Sequence, residues 1–121
     1  MANLFFSLPG ELQEVTQIVF QVLGASSTMQ RDSANVLGGT YSVLSVLGFK
    51  LKLEQNSYDY EDQYNYMLSI NEDYLSGVET DEDMAEDISD IIVKVLRKNV
   101  SFEIAQEKAD RLVIHSAKMD E

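Results

Sequence analysis

The sequence predicts an α+β domain, with a mainly antiparallel sheet of about five strands and two or three helices packed on one face. Two segments repeat apolar residues at helical spacing, and several short segments alternate with a period of two. Most of these short segments follow one another through brief turns, which is typical of antiparallel pairing. A chain of 121 residues that is 45% hydrophobic is expected to form one domain, residues 1–121.

The first third of the chain contains one well-defined helix. Residues 3–8 are apolar and aromatic, and fit a short strand or a helix lead-in. Pro9 suits a first helical position, apolar residues then recur at helical spacing, and Gly24 is a natural end, which predicts a helix over 9–23. A serine or threonine cap predicts a short second helix over 29–37.

The middle of the chain changes to a period of two. Residues 41–47 and 49–54 form two β-segments around Gly48, and the second alternates apolar with charged side chains. The polar residues 55–57 predict a turn. Strand character then resumes, and it is strongest over 63–70.

A longer helix and two strands complete the chain. After a loop over 71–79, Thr80 opens a helix whose first turns are acidic and whose end is basic, which matches the helix macrodipole. Residues 100–106 and 111–116 then predict two strands joined by a turn. This helix is the one long crossover between strands, so the sheet is expected to be antiparallel.

The sequence lacks the side-chain combinations that most catalytic sites need. Cysteine is absent and His115 is the only histidine, so a thiolate or histidine metal site has no ligand set. Gly38 and Gly39 are not followed by the residues of a phosphate-binding loop. Residues 80–91 lack the glycine and final glutamate of an EF-hand. We therefore expect no enzymatic activity, no cofactor and no metal, and a His115 that is solvated or hydrogen-bonded to a neighbour.

Net charge is the unusual property of this chain. Twenty-one Asp and Glu oppose nine Lys and Arg, which gives a net charge of −12. Such a field repels nucleic acid and anionic membranes and attracts basic proteins. No apolar run reaches the roughly 18 residues of a membrane span, and no secretory signal is recognisable, so a cytoplasmic location is expected.

The acids are concentrated between Lys52 and Lys94, where the chain has no basic residue. This stretch holds thirteen of the 21 acids and five of the six tyrosines. Tyrosine is enriched in interface hot spots, and carboxylates pair with arginine and accelerate association with cationic proteins. Tyr64 and Tyr66 share parity with the apolar residues after them, so both are expected to be partly core. The candidate partner-binding residues are Glu54, Tyr58, Asp59, Tyr60, Glu61, Asp62, Glu72, Asp73 and Tyr74.

The segment 48–70 (GFKLKLEQNSYDYEDQYNYMLSI) resembles the immunity proteins of bacterial contact-dependent growth inhibition systems. The resemblance is densest over residues 48–75 and looser through the following helix and strands. It implies a cytoplasmic protein that binds and blocks the C-terminal toxin domain delivered by a neighbouring cell, often a nuclease. Nucleases need basic clefts for phosphate, so an acidic inhibitor is the expected complement. The resemblance carries over no particular contact residue.

Two other interpretations stay open. The protein could mimic nucleic acid and occupy a DNA-binding protein, which requires acids spaced like phosphates along an exposed face. It could also be a small enzyme or metal-dependent protein, which requires a response to calcium or magnesium. The acids cluster in turns and at one helix start, so the immunity interpretation is preferred.

Overall fold

The protein is built on an antiparallel sheet, and the computed structural model describes residues 2–25, 29–33, 35–57, 59–109 and 111–115. The elements in chain order are β1 (Ala2–Phe6), α1 (Leu12–Val22), β2 (Met29–Asp32), β3 (Leu37–Val46), β4 (Phe49–Gln55), β5 (Tyr66–Glu72), a single-turn 3₁₀ helix (Tyr74–Ser76), α2 (Glu82–Asn99), β6 (Ile104–Glu107) and β7 (Leu112–His115). Their order in the sheet is β2-β3-β4-β5-β1-β6-β7. The α+β class is therefore confirmed, but these ranges contain seven strands instead of about five.

The main core lies between the sheet and the two α-helices, which pack on the same face. Leu4 and Phe6 of β1 and Leu68 and Ile70 of β5 are completely buried there, together with Leu96 of α2. Burial of such side chains stabilises a fold by about 1.5–3 kcal/mol each. The N-terminal strand β1 pairs with both β5 and β6, so it is an interior strand of the sheet.

The opposite face of the sheet, called the open face below, is covered by neither α1 nor α2. Because side chains alternate along a strand, Phe5 of β1, Met67 of β5 and Ala105 of β6 point to this face. They form a second, smaller apolar cluster with Tyr64. The connection between β4 and β5 therefore packs against the open face.

Three predicted elements differ from the structure. The helix predicted over 9–23 begins at Leu12, because Gly10 has a φ of 107° that a helix does not adopt. The short helix predicted over 29–37 is wrong, since this segment forms β2 and the start of β3. All four β2 side chains are exposed, so no apolar period reveals the strand. The strand predicted over 63–70 is displaced to β5 because 61–63 form a turn.

Other predicted features are confirmed with shifted bounds, and the strand predicted over 100–106 begins only at Ile104. The two β-segments around Gly48 form the β3–β4 hairpin. Helix α2 has acids in its first turn and basic residues in its last, but its N-cap is Asp81, whose side chain accepts from the Met84 backbone N–H at 2.8 Å. Thr80 instead donates its hydroxyl to Glu72.

Candidate partner-binding surface

The structure divides the sequence-predicted binding residues into two groups. Glu54 and the acids and tyrosine of 59–62 lie where β4 leads into β5, whereas Glu72, Asp73 and Tyr74 lie at the other end of β5. Six residue steps along a strand separate the two ends by about 20 Å. Tyr58 lies outside the described residues. The two groups have different surroundings and are treated in turn.

The first group is carried by residues 59–64, called the acidic turn below. The turn closes through hydrogen bonds from the N–H groups of Gln63 and Tyr64 to the carbonyl of Tyr60, at 3.0 and 2.9 Å. Asn56, which is buried, donates its amide to the carbonyls of Asp59 and Tyr64, both at 2.9 Å. These bonds fix the turn from beneath and leave its carboxylates in solvent.

Two tyrosines anchor the acidic turn to the open face. The ring of Tyr60 meets Phe5 edge to face, with 5.4 Å between centroids, while 39% of Tyr60 stays exposed. Tyr64 is buried and donates its hydroxyl to Glu103 at 2.6 Å. Burial, with the hydrogen bond and charge of Glu103, raises the pKa of Tyr64 to about 12. Tyr64 therefore anchors the turn, whereas the ring of Tyr60 stays partly exposed to solvent.

The core placement expected for Tyr64 and Tyr66 is confirmed, but they lie on opposite faces of the sheet. Tyr66 belongs to β5 and packs in the main core, with its hydroxyl donating to the Gly10 carbonyl at 2.8 Å. Tyr64 precedes the strand, so strand parity does not apply to it, and it joins the cluster on the open face.

A cavity of about 340 Å³ lies on the open face beside the acidic turn. On its floor, Lys52, Ser69 and Asn3 are neighbours on β4, β5 and β1. This open-face cavity is lined by Asn3, Phe5, Lys52, Glu54, Asp59, Met67, Ser69, Asn71 and Glu107. A larger cavity, of about 420 Å³, lies near the start of α1, but the acid that lines it, Glu11, is exposed.

Glu54 is a buried acid and not a surface charge, since only 1% of it is exposed. Its Oε2 pairs with Lys52 Nζ at 3.0 Å, and Lys52 also lies over the ring of Tyr41. Its Oε1 is buried with no hydrogen-bond partner among the described residues. The same holds, within those residues, for Oδ1 of Asn3, whose amide donates to Glu107 at 2.8 Å. Two unsatisfied acceptors thus belong to the lining of one cavity.

The side chains of the second group form hydrogen bonds to residues near them in the chain. Glu72 accepts hydrogen bonds from Thr80 at 2.7 Å and from Tyr74 at 3.2 Å. The hydrogen bond between Tyr74 and Glu72, together with the charge of Glu72, raises the pKa of Tyr74. Asp73 accepts from the Leu75 N–H at 3.2 Å and caps the 3₁₀ helix. Tyr74 and Leu75 are nevertheless strongly exposed. Tyr74 is the exposed member of this group, and Glu72 and Asp73 are half-buried.

His115 belongs to an internal network between α2, β6 and β7. Its Nε2 lies 2.9 Å from Gln106 Oε1, as the sequence interpretation of a neighbour-bonded histidine allowed, and burial lowers its pKa. Gln106 donates to Ser89 and Asp90, and Lys108 pairs with Asp90 at 2.9 Å. The bonds from Lys108 and Gln106 lower the pKa of Asp90. This network joins α2 to the sheet edge.

Within the described ranges, no group of three or more His, Asp or Glu side chains is arranged to hold a metal ion. The same residues include no helix that combines the length and apolarity of a membrane span. No protein-family model, curated protein or solved structure matches this chain. The resemblance of residues 48–70 to immunity proteins therefore stays a prediction.

Proposed function

We propose that this protein is a stoichiometric, non-enzymatic inhibitor that binds a basic toxin domain, a cytoplasmic immunity protein of the contact-dependent growth inhibition type. The observation that carries the proposal is the acidic turn. Asp59, Glu61 and Asp62 are exposed beside the half-exposed ring of Tyr60. Asn56 donates hydrogen bonds to the backbone carbonyls at both ends of the turn.

The acidic turn has the chemistry that a cationic partner needs. Carboxylates accept paired hydrogen bonds from arginine, and a tyrosine ring adds contact area with little loss of conformational entropy. Five hydrogen bonds already order the turn and its base. The side-chain amide of Asn56 donates two of them and the Tyr60 carbonyl accepts two, while the fifth joins the backbone N–H of Asn56 to the carbonyl of Asn65. Binding therefore loses less entropy than it would with a loop that must first be ordered.

The acids of the turn differ in their surroundings from the acids that are engaged within the fold. Glu86 and Asp90 on α2 share the cation of Lys108, and Glu72 accepts two hydroxyl hydrogen bonds. Across the described part of the chain, no ion pair involves an acid of the turn. Their full charge is therefore available to steer a basic protein toward contact.

Co-expression with a toxin domain encoded by a neighbouring gene tests the proposal directly. We expect rescue of growth and an equimolar complex by size-exclusion chromatography with light scattering, because inhibition is by binding. The toxin recovered from the complex is expected to keep its mass. Absence of both rescue and complex contradicts the proposal, and a covalently changed toxin contradicts the non-enzymatic part of it.

A charge-neutralised turn tests the surface. The triple variant Asp59→Asn, Glu61→Gln and Asp62→Asn is expected to keep the fold, because exposed charges contribute little stability. Its association rate with the toxin domain at low salt is expected to fall about ten-fold, and the salt dependence of that rate to weaken. Stopped-flow mixing at two salt concentrations measures both quantities.

A matched control removes the same charge from another surface. Glu79→Gln, Asp83→Asn and Asp87→Asn are all exposed positions in or near α2, and they change the net charge by the same amount. We expect this control to associate at nearly the wild-type rate. Equal slowing of both triple variants would mean that overall charge acts and that the turn is not the contact surface.

A further inference from the structure

We propose that the open-face cavity binds a cationic N–H donor, namely the guanidinium or ammonium group of an arginine or lysine side chain that the partner presents. The source of this group rests on the proposed function, whereas the chemistry of the cavity does not. The central observation is Glu54, a carboxylate with 1% exposure whose Oε1 has no partner within the described residues.

The unsatisfied atoms of the cavity define what it accepts. Glu54 Oε1 and Asn3 Oδ1 are both acceptors, and burying an acceptor without a donor is unfavourable. A ligand that supplies N–H groups removes this penalty, and one that supplies only acceptors does not. Arginine and lysine side chains carry five and three N–H donors and no acceptor.

The charge of the cavity selects a cation among such donors. Three carboxylates line it, from Glu54, Asp59 and Glu107, against the single ammonium of Lys52. Lys52 occupies only Oε2 of Glu54, at 3.0 Å. A carboxylate has lone pairs for a second cationic donor, and Oε1 is the oxygen of Glu54 that Lys52 leaves without a partner within the described residues.

The remaining walls suit the stem of a long cationic side chain. Phe5 and Met67 supply apolar surface next to the polar floor, and methylene stems of lysine and arginine pack on such surface. A volume of about 340 Å³ lies within the range of ligand pockets. Asp59 lines the cavity and also belongs to the acidic turn, so a protein docked on the turn has the cavity within its contact area.

Small probes test the cavity without the partner. We expect n-butylguanidinium to shift the backbone amide NMR signals of Asn3, Lys52 and Ser69, and its neutral isostere n-butylurea to shift them about ten-fold less at equal concentration, because only the first makes charge-assisted bonds. Equal shifts with both probes, or shifts confined to the acidic turn, overturn the proposal. Acetate serves as an anion control. If acetate alone shifts these signals, the cavity binds anions through Lys52, and the proposal is overturned.

Two variants assign the effect to the cavity. Glu54→Gln keeps the shape and removes the charge, and is expected to weaken n-butylguanidinium binding about ten-fold. Ser69→Val fills the floor without altering Glu54, and is expected to block the probe while amide signal dispersion shows an intact fold. Glu61→Gln, on the exposed turn, is the matched control and is expected to bind like wild type. Wild-type binding by both cavity variants overturns the proposal.

The toxin complex separates the two proposals. If Glu54→Gln weakens binding of both the toxin and n-butylguanidinium, the side chain that enters the cavity comes from the partner. If the probe binds but no basic toxin does, the cavity chemistry stands and the proposed function fails. If the toxin binds Glu54→Gln at wild-type affinity and the probe does not bind, the cavity proposal fails alone. If spermidine binds in the cavity and does not affect toxin binding, the proposal that the partner supplies the cationic group is overturned.

Discussion

Glu54 and Asn56 lie two positions apart at the end of β4, and their buried polar atoms are in opposite situations. The amide of Asn56 donates two hydrogen bonds to backbone carbonyls and so orders the acidic turn. One oxygen of Glu54 pairs with Lys52, and the other has no partner within the described chain. A satisfied amide stabilises a fold, whereas an unsatisfied carboxylate lowers its stability until a donor is supplied.

Tyr64 gives the stability of the protein a dependence on alkaline pH. Its pKa is raised from 10.0 to about 12 by burial and by Glu103. Between these values the unfolded chain has lost the phenolic proton and the folded chain keeps it, so the contribution is complete below pH 10 and is lost as the pH rises toward 12. We expect wild type to lose more stability than Tyr64→Phe between about pH 9 and about pH 11 in urea unfolding.

At neutral pH wild type is expected to be the more stable of the two proteins. Tyr64→Phe loses the 2.6 Å hydrogen bond to Glu103, so it is expected to be less stable than wild type by about 0.5–1.5 kcal/mol. Parallel losses in both proteins on raising the pH would contradict the assignment. They would mean that Tyr64 ionises in the folded chain as readily as in the unfolded one.

The β3–β4 hairpin contains a turn that its sequence does not favour. Leu47 and Gly48 both have positive φ, 56° and 82°, as a type I′ turn requires. Glycine meets this requirement, but a leucine in the left-handed region costs about 1–2 kcal/mol. Leu47 is also 72% exposed, so its burial returns little of that energy. The tip is therefore a strained element with an apolar side chain in solvent.

Replacing Leu47 tests this strain. Leu47→Asn is expected to raise the free energy of unfolding by about 0.5–1 kcal/mol, because asparagine tolerates the left-handed region. Gly48→Ala is the opposite control, since its Cβ would lie 2.8 Å from Thr80 and 2.9 Å from Val78 at a φ of 82°. Urea unfolding of both variants measures the difference. A destabilised Leu47→Asn would mean that packing of the leucine exceeds its backbone strain.

The elements that the sequence predicted best are those with a strong apolar period. Helix α2 and strand β4 each pack one apolar face against the core. The spacing of their apolar side chains, helical in α2 and alternate in β4, indicates this directly. Strand β2 has four exposed side chains and forms because β3 offers it a partner, which no local pattern records. The start of α1 depends on the conformation of Gly10. The sequence did not indicate this, because Pro9 is itself favourable at a first helical position.

The candidate site was predictable only in part for the same reason. The acids and Tyr60 of the turn stand out in the sequence because they are neighbours along the chain. Asn3 and Glu107 are 104 residues apart and meet only because β1 pairs with β6. A polar residue between Ala2 and Leu4 indicates an exposed strand face, but it does not say which other residues share that face.

At the scale of the whole molecule, the described acids divide into those engaged internally and those facing solvent. Lys52 and Lys108 are the cations of the ion pairs seen in the described ranges, and between them they hold Glu54, Glu86 and Asp90. A net charge of −12 therefore leaves most carboxylates to repel one another. That repulsion opposes folding and at the same time attracts a basic partner.

The stability of the free protein is consequently expected to rise with salt. Raising sodium chloride from about 20 mM to about 300 mM shortens the Debye length from about 20 Å to below 8 Å and screens the repulsion between acids. We expect the melting temperature in differential scanning calorimetry to increase by about 2–5 °C, equivalent to about 0.5–1.3 kcal/mol. Tetramethylammonium chloride is the control for specific cation binding, and it is expected to give the same increase.

The neutralised acidic turn connects this behaviour to partner binding. Asp59→Asn, Glu61→Gln and Asp62→Asn together remove repulsion, so this variant is expected to melt higher than wild type at low salt and to gain less on adding salt. A melting temperature that falls with salt would mean that the pairs of Lys52 and Lys108 outweigh the repulsion. If the increase is found, the salt that stabilises the free protein also slows its association with a basic toxin, because one field produces both effects.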